Sequence, residues 1–148
     1  IDLIEKVEST PHYRQLQSTF AYFKRTTSFV RLHDPMEDKD RSDRAAVNDF
    51  LSHYELVSIG IEKKILDEQF YRDWMANPFV RDWNAAAEYI QRERWKWDDV
   101  KKEWEYYDRL FEFYQRVALR FSDEAIDLKE TTGGKPSEPA GPGDKSLP

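Results

Sequence analysis

The sequence of 148 residues contains no cysteine, only three histidines and only five glycines. Without cysteine the chain has no disulfide bridge, no thiolate zinc site and no cysteine nucleophile. So few glycines, most of them near the C-terminus, leave no glycine-rich loop of the kind that binds nucleotide phosphates. No apolar run approaches 18 residues, so the sequence predicts no transmembrane helix within these residues.

Aromatic side chains are abundant, with nine Phe, eight Tyr and five Trp. Disordered chains lack such rings, so this content is typical of a packed globular domain, and the length fits about one domain. The formal net charge of −6 disfavours a nucleic-acid-binding surface. Bases and rings do mix at residues 92–102, but over residues 92–120 seven acids almost balance eight bases, which favours a junction between helices.

The first half of the chain shows helical punctuation and spacing. Thr10-Pro11 is typical of a helix start, and Asp34-Pro35 is expected to end that first helix. A second helix is predicted from about residue 42 to 65, with apolar residues at steps of three and four. Gly60 lies inside it, and we expect close approach of a neighbouring helix there.

The second half is predicted to hold three more helices. Asp67 caps a short third helix, and Asn77-Pro78 opens a fourth. Asp98 caps the last helix, whose heptad-like apolar seam runs to Leu128. The seam through Tyr114 is expected to pack against the first two helices, and residues 118–128 to overhang the bundle.

No stretch of strict polar–apolar alternation with hairpin turn residues was recognised, so the predicted fold is all-α. We expect a small irregular bundle of about five helices over residues 1–128. Residues 129–148, which are rich in Pro and Gly, are predicted to be a disordered tail.

Two pairs of polar residues are the candidate sites. Asp49 and His53 lie one helical turn apart and form a candidate polar cluster that could share a proton or half a metal site. Glu55 lies on another face and is predicted to form a structural ion pair with Arg81, with Arg92 as the other candidate. The sequence lacks the spacing of helical zinc and di-iron sites, so no catalytic residue, metal or cofactor is predicted.

Residues 48–95 contain a series of short motifs. They are Phe50 with Tyr54 and Glu55, Ile59-Gly60-Ile61, the turn from Ile65 to Glu68, and the Trp83 helix that ends in Arg92, Arg94 and Trp95. This series resembles the uncharacterised bacterial family called domain of unknown function 4760. The resemblance implies a small helical domain, often placed just after an N-terminal membrane helix, and it implies no established activity.

Two functions follow as hypotheses. The first is a non-catalytic helical interaction or accessory domain with an unknown protein partner, no nucleic acid, and a monomeric or weakly homodimeric state. It is expected in the cytoplasm, or at the cytoplasmic face of the membrane if a hydrophobic anchor precedes Ile1. The alternative is a metal-dependent or acid–base enzyme that uses Asp49 and His53.

Overall fold

The computed structural model describes residues 2–26 and 29–139, which form five α-helices and one two-stranded antiparallel sheet. The all-α prediction of a small bundle of about five helices is confirmed, with the small sheet as an addition. In chain order the elements are α1 (Asp2–Glu8), α2 (Pro11–Thr26), α3 (Asp38–Glu62), α4 (Glu68–Arg94), β1 (Trp95–Asp98), β2 (Glu103–Tyr106) and α5 (Glu112–Phe121). Short 3₁₀ helices span Phe29–Leu32 and Glu130–Thr132.

Helix α3 lies at the centre of the bundle. It packs against α2 on one side and against α5 on the other, and α5 also packs against α4. Phe50, Leu51, Tyr54 and Val57 of α3 are all buried, as the steps of three and four predicted. Within the described residues, no helix is long and apolar enough to cross a bilayer.

Aromatic rings fill the space between α3, α4 and α5. The Tyr114 ring stacks on Tyr54 with centroids 4.8 Å apart and meets the edges of Phe79 at 4.7 Å and Trp83 at 5.0 Å. Edge and offset ring contacts of this kind add to the gain from burying apolar area. The Tyr114 hydroxyl donates to the Phe79 carbonyl at 2.8 Å, so the buried polar end of that ring is satisfied.

The first predicted helix is interrupted. Helix α2 ends at Thr26, and a 3₁₀ helix at Phe29–Leu32 follows instead of a continuous helix to Asp34. This 3₁₀ segment buries Phe29 and Leu32 and leaves Val30 72 % exposed.

The separate third and fourth helices of the prediction are one helix. Helix α4 continues through Pro78, although proline removes a backbone N–H and usually ends or kinks a helix. Tyr71 precedes the proline by two turns and Phe79 follows it, and both are fully buried and in contact at 5.6 Å. Packing of the rings on both sides of Pro78 therefore offsets the cost of the missing hydrogen bond.

A β-hairpin replaces the first part of the predicted last helix. Strands β1 and β2 pair in antiparallel register, and Trp95 lies opposite Tyr106 and Trp97 opposite Trp104. Cross-strand ring pairs stabilise such ladders, with centroids here 5.0 and 5.4 Å apart. Asp98, predicted to cap a helix, instead accepts hydrogen bonds from the backbone N–H groups of residues 100 and 101 in the hairpin loop.

The chain after α5 does not overhang the bundle. Ala118, Phe121, Ala125 and Leu128 are each at most 6 % exposed, because the segment after α5 folds back along α4. We call residues 122–135 the strap. The strap's backbone carbonyls accept hydrogen bonds from α4 side chains and from Trp95, as in the bond from Trp83 Nε1 to Ile126 O at 2.8 Å.

The strap includes the first residues of the predicted tail. Gln91 Nε2 donates to the carbonyls of Lys129 and Gly133 at 2.7 Å each. Gly134 has a φ of +79°, and a Cβ there would lie 2.8 Å from Gln91 Cγ, so glycine is required for this close approach. Residues 140–148 of the predicted tail lie outside the described residues.

Gly60 has a related packing role with a different partner from the one expected. A Cβ at this position would lie 2.9 Å from Leu66 Cδ1, which belongs to the turn after α3 and not to a neighbouring helix. The Gly60 carbonyl also accepts hydrogen bonds from the backbone N–H groups of Ile65 and Leu66. Gly60 therefore lets the turn between α3 and α4 fold tightly against the end of α3.

Arg94, the last residue of α4, binds the hairpin and the connection that follows it, and these contacts yield a prediction. Its Nε and Nη2 donate to the Leu110 carbonyl at 3.0 and 2.8 Å, and Nη1 donates to the Tyr106 hydroxyl at 3.2 Å. We expect Arg94→Met to lower the free energy of unfolding by about 1–3 kcal/mol, because these acceptors lose their donors. Arg94→Lys should recover only part of this free energy of unfolding, since a lysine ammonium lacks the planar set of donors of a guanidinium. Chemical denaturation measures both changes.

Arg109→Lys, at an exposed position of the same connection, is the matched control and should leave the denaturation midpoint unchanged. If Arg94→Met had the same denaturation midpoint as the wild type, the guanidinium would have no structural role.

Candidate functional site

The candidate polar cluster of Asp49 and His53 does not come together as a pair. Asp49 is exposed, whereas His53 is largely buried and its Nε2 lies 2.8 Å from Glu8 Oε2 of α1. The imidazole also meets the Tyr13 ring edge-on, with centroids 4.8 Å apart. His53 therefore attaches α1 to α3. No group of three or more His, Asp or Glu side chains suited to a metal ion occurs within residues 2–26 and 29–139.

Glu55 is paired with the backbone of α5 and not with Arg81. Its Oε1 accepts a hydrogen bond from the backbone N–H of Tyr114 at 2.7 Å, while Arg81 is exposed. Arg92, the other candidate partner, lies 3.8 Å from Asp34. Glu55 of α3 thus caps a helix 59 residues further along the chain.

This cap is needed because α5 has none of its own. The residue before the helix, Phe111, has a left-handed φ of +58° and no side-chain acceptor for the first N–H groups. A carboxylate near a helix N-terminus also interacts favourably with the helix dipole. Burial raises the pKa of Glu55 above its ordinary value, and the N–H groups of Phe113 and Tyr114 oppose this rise.

A buried carboxylate joins three helices. Asp82 of α4 is 6 % exposed; its Oδ1 accepts from Lys24 Nζ of α2 at 2.8 Å and its Oδ2 from the Tyr54 hydroxyl of α3 at 2.7 Å. Burial raises the pKa of the Tyr54 phenol, and the nearby Tyr114 and Asp82 add to the rise. The hydroxyl therefore stays protonated and acts as a donor at physiological pH.

A second buried carboxylate lies beside a cavity. Glu93 Oε1 accepts from Arg44 Nε at 3.0 Å and Nη2 at 2.5 Å, and Glu93 Oε2 lies 4.0 Å from Nδ1 of His33. The His33 ring stacks on Tyr89 at 5.1 Å, and its Nδ1 is buried without a hydrogen-bond partner in the part of the chain that the structure describes. Burial lowers the pKa of His33, although Glu93 opposes the shift, so the ring is neutral at neutral pH.

His33 and Tyr89 line a cavity of about 470 Å³ between the Phe29–Leu32 helix and α4. We call it the His33 cavity. Its wall also contains Lys24, the lysine bound to Asp82, and the exposed Glu88. The residues of this site come from three separate parts of the chain and no local spacing connects them, so the sequence alone does not predict it.

The outer surface of α4 carries two large exposed rings. Phe70 is 55 % exposed and Trp74 is 41 % exposed, and they lie one turn apart on the same helix face. Asn77 and Arg81 continue the same face at the following turns and are also exposed. We call Phe70, Trp74, Asn77 and Arg81 the α4 stripe. Trp74 packs edge-on against the buried Tyr71 at 6.0 Å.

Comparison with protein families gives one match, to the model named domain of unknown function (DUF4760), over residues 1–121. The chain belongs to the DUF4760 family. The match ends at the last residue of α5, so α1 to α5, the α4 stripe and the His33 cavity all lie within the DUF4760 domain. No curated protein and no solved structure matches the chain.

The cap by Glu55 in this DUF4760 domain gives a stability prediction. We expect Glu55→Ala to lower the free energy of unfolding by about 0.5–2 kcal/mol, the usual cost of a lost helix N-cap. Glu55→Gln keeps an acceptor oxygen, so its free energy of unfolding should fall by less than that of Glu55→Ala. Thermal and urea denaturation would measure the three proteins, with Glu103→Gln as a control on an exposed position.

The pH dependence of the Glu55→Gln effect has a definite sign. The pKa of Glu55 is raised in the fold, so the folded state binds more protons and the wild type loses stability as pH rises through the window between the unfolded and folded pKa values. Glutamine does not titrate. The stability of Glu55→Gln relative to wild type should therefore increase from acidic to neutral pH, and a decrease would show that the buried carboxylate is preferred as the charged form.

Proposed function

We propose that this DUF4760 domain is a non-catalytic interaction domain that binds a protein partner through the α4 stripe. The observation that carries the proposal is the placement of Phe70, Trp74 and Arg81 on one exposed helix face. Trp and Arg are the residue types most enriched among energetically dominant interface residues. Spacings of four, three and four residues are those by which a helix presents anchors to a groove.

The chemistry of the stripe indicates what kind of partner fits it. Phe70 and Trp74 call for an apolar groove, and the buried Tyr71 ring holds the Trp74 indole in place before binding. Arg81 makes no ion pair within the described ranges, so its guanidinium is available to an acidic side chain on the partner. We therefore infer a protein with an apolar groove that has carboxylates at one end.

The interior supports the non-catalytic part of the proposal. The buried or half-buried carboxylates of Glu55, Asp82 and Glu93 each bind a group from another helix or from the backbone of one. His53 likewise binds Glu8 across two helices. These groups are used to hold the bundle together. A cytoplasmic or membrane-proximal location and a monomeric or weakly dimeric state remain part of this proposal.

The test starts with a photo-crosslinking amino acid at position 73, an exposed neighbour of Trp74, in the full chain expressed in its native host. The captured protein is identified and purified, and its binding to the unmodified chain is measured by calorimetry. We expect Phe70→Ser with Trp74→Ser to weaken binding by at least about tenfold, because hot-spot residues each contribute about 2 kcal/mol or more. The double variant should still fold, as its melting curve would show, since neither ring belongs to the buried core.

Val100→Ser is the matched control, because Val100 is an apolar residue that is 92 % exposed on the hairpin loop and far from the stripe in sequence. It should bind the partner like wild type. Equal affinity of the Phe70/Trp74 double variant would overturn the proposed surface. Turnover of any substrate that is abolished by changing a single carboxylate or histidine would overturn the non-catalytic role.

A further inference from the structure

The His33 cavity has a shape and size suited to a small molecule. Its volume of about 470 Å³ lies within the range of about 300–1,000 Å³ that is usual for small-molecule sites. It lies between the 3₁₀ helix at Phe29–Leu32 and the part of α4 that carries Ala85 and Tyr89. The α4 stripe is built from other residues, so this site is independent of the proposed partner surface.

Part of the cavity wall is apolar and aromatic. The Phe29 and Tyr89 rings, whose residues are 7 % and 2 % exposed, have centroids 5.9 Å apart, and Ala85 lines the cavity with them. The His33 ring extends this wall by stacking on Tyr89 at an interplanar angle of 16°. Such a surface fits an apolar or aromatic group.

The cavity also presents charges of both signs. Lys24 Nζ uses one hydrogen bond on Asp82 Oδ1, so two N–H donors remain for a ligand acceptor. Glu88 makes no hydrogen bond or ion pair within residues 2–26 and 29–139, and its carboxylate is exposed at the cavity. Asp82 balances the charge of Lys24, whereas the charge of Glu88 is not balanced, so a ligand ammonium gains more than a ligand carboxylate.

Glu93 lies close to the His33 ring and is not among the residues that line the cavity. Among the described residues, the His33 Nδ1 is buried without a hydrogen-bond partner, 4.0 Å from Glu93 Oε2, and Arg44 fixes the Glu93 carboxylate. A movement of the ring by about 1 Å would bring the nitrogen to hydrogen-bond distance. A molecule pressed against the cavity side of the imidazole would favour this movement, so binding and the His33–Glu93 contact should be coupled.

We propose that the His33 cavity binds a small zwitterion with an apolar body, of the class of free apolar or aromatic α-amino acids. Glu88 receives the ammonium group, Lys24 donates to the carboxylate, and the wall of Phe29, Ala85 and Tyr89 receives the side chain. The His33 ring closes on Glu93 when the cavity is filled.

The proposal is tested with the full chain by calorimetry and by NMR of the imidazole nitrogens. The probes are L-phenylalanine and L-leucine, with 3-phenylpropanoate, which lacks the ammonium group, and 2-phenylethylamine, which lacks the carboxylate. We expect at least one amino acid to bind and to shift the His33 nitrogen resonances. We expect 2-phenylethylamine to bind more weakly, and 3-phenylpropanoate to bind most weakly because it places an anion near Glu88.

Two variants separate the parts of the site. Ala85→Leu fills the apolar wall without removing a polar group and should abolish detectable binding. Glu88→Gln should weaken amino-acid binding about tenfold, which corresponds to the loss of one charge-assisted hydrogen bond. The matched control is Glu103→Gln, an exposed change on the hairpin that should bind like wild type. Melting curves of all variants show that each is folded.

Three results would overturn the proposal. One is a wild-type chain that binds neither amino acid at millimolar concentration. Another is 3-phenylpropanoate binding as tightly as L-phenylalanine, which would mean that the ammonium group is not recognised. The third is unchanged binding in folded Ala85→Leu, which would place any bound amino acid elsewhere on the protein.

Discussion

The arrangement of the bundle depends on the carboxylate of Asp82. A buried charge is stable only when it is paired and hydrogen-bonded, and Asp82 obtains its two partners from two other helices. Removing one partner of such a buried group typically costs about 3–5 kcal/mol, so Lys24 of α2 and Tyr54 of α3 are fixed relative to α4. The Tyr54 ring in turn stacks on Tyr114, which extends the constraint to α5.

This junction also sets the conditions for the His33 cavity. Lys24 lines the cavity while its ammonium group is bound to Asp82. The ammonium group therefore has a defined position, and its other N–H groups can donate to a ligand. Glu93, three turns after Asp82 on α4, is fixed by Arg44 of α3 in a similar way. Asp82 therefore holds the ammonium group of the cavity wall in place, and Glu93 faces the neutral His33 ring of the same wall.

Much of the fold was predictable because helical periodicity is a local signal. The steps of three and four along α3 place Phe50, Tyr54 and Val57 in the core, as the structure shows. The hairpin was missed because its strands are only four residues long and because Trp104 and Phe111, seven residues apart, also fit the heptad-like seam. Alternation of side chains over four residues is too short a signal to be recognised against a continuous heptad-like pattern.

The candidate site was less predictable, since its contacts connect distant parts of the chain. Glu55 was expected to need a partner, but a helix N-terminus 59 residues away is not visible in local spacing. The residue before α5, Phe111, has a left-handed backbone and provides no side-chain cap, and this is visible only in the structure. The His33 cavity likewise needs the position of a 3₁₀ helix that replaces part of the expected first helix.

Helix α4 is the element on which these features meet, and its faces have separate uses. Its inner face buries Asp82 and Trp83, and its C-terminal half donates side-chain hydrogen bonds to the strap. Within the described residues these side-chain bonds to strap carbonyls start at Trp83, after the α4 stripe has ended at Arg81. The strap lies beyond the DUF4760 match, whereas the α4 stripe lies within it. The strap covers the C-terminal half of α4, and the stripe is on the N-terminal half of the same helix. Phe70 and Trp74 are exposed on a helix whose other faces are largely covered. Folding alone does not require such an exposed aromatic pair.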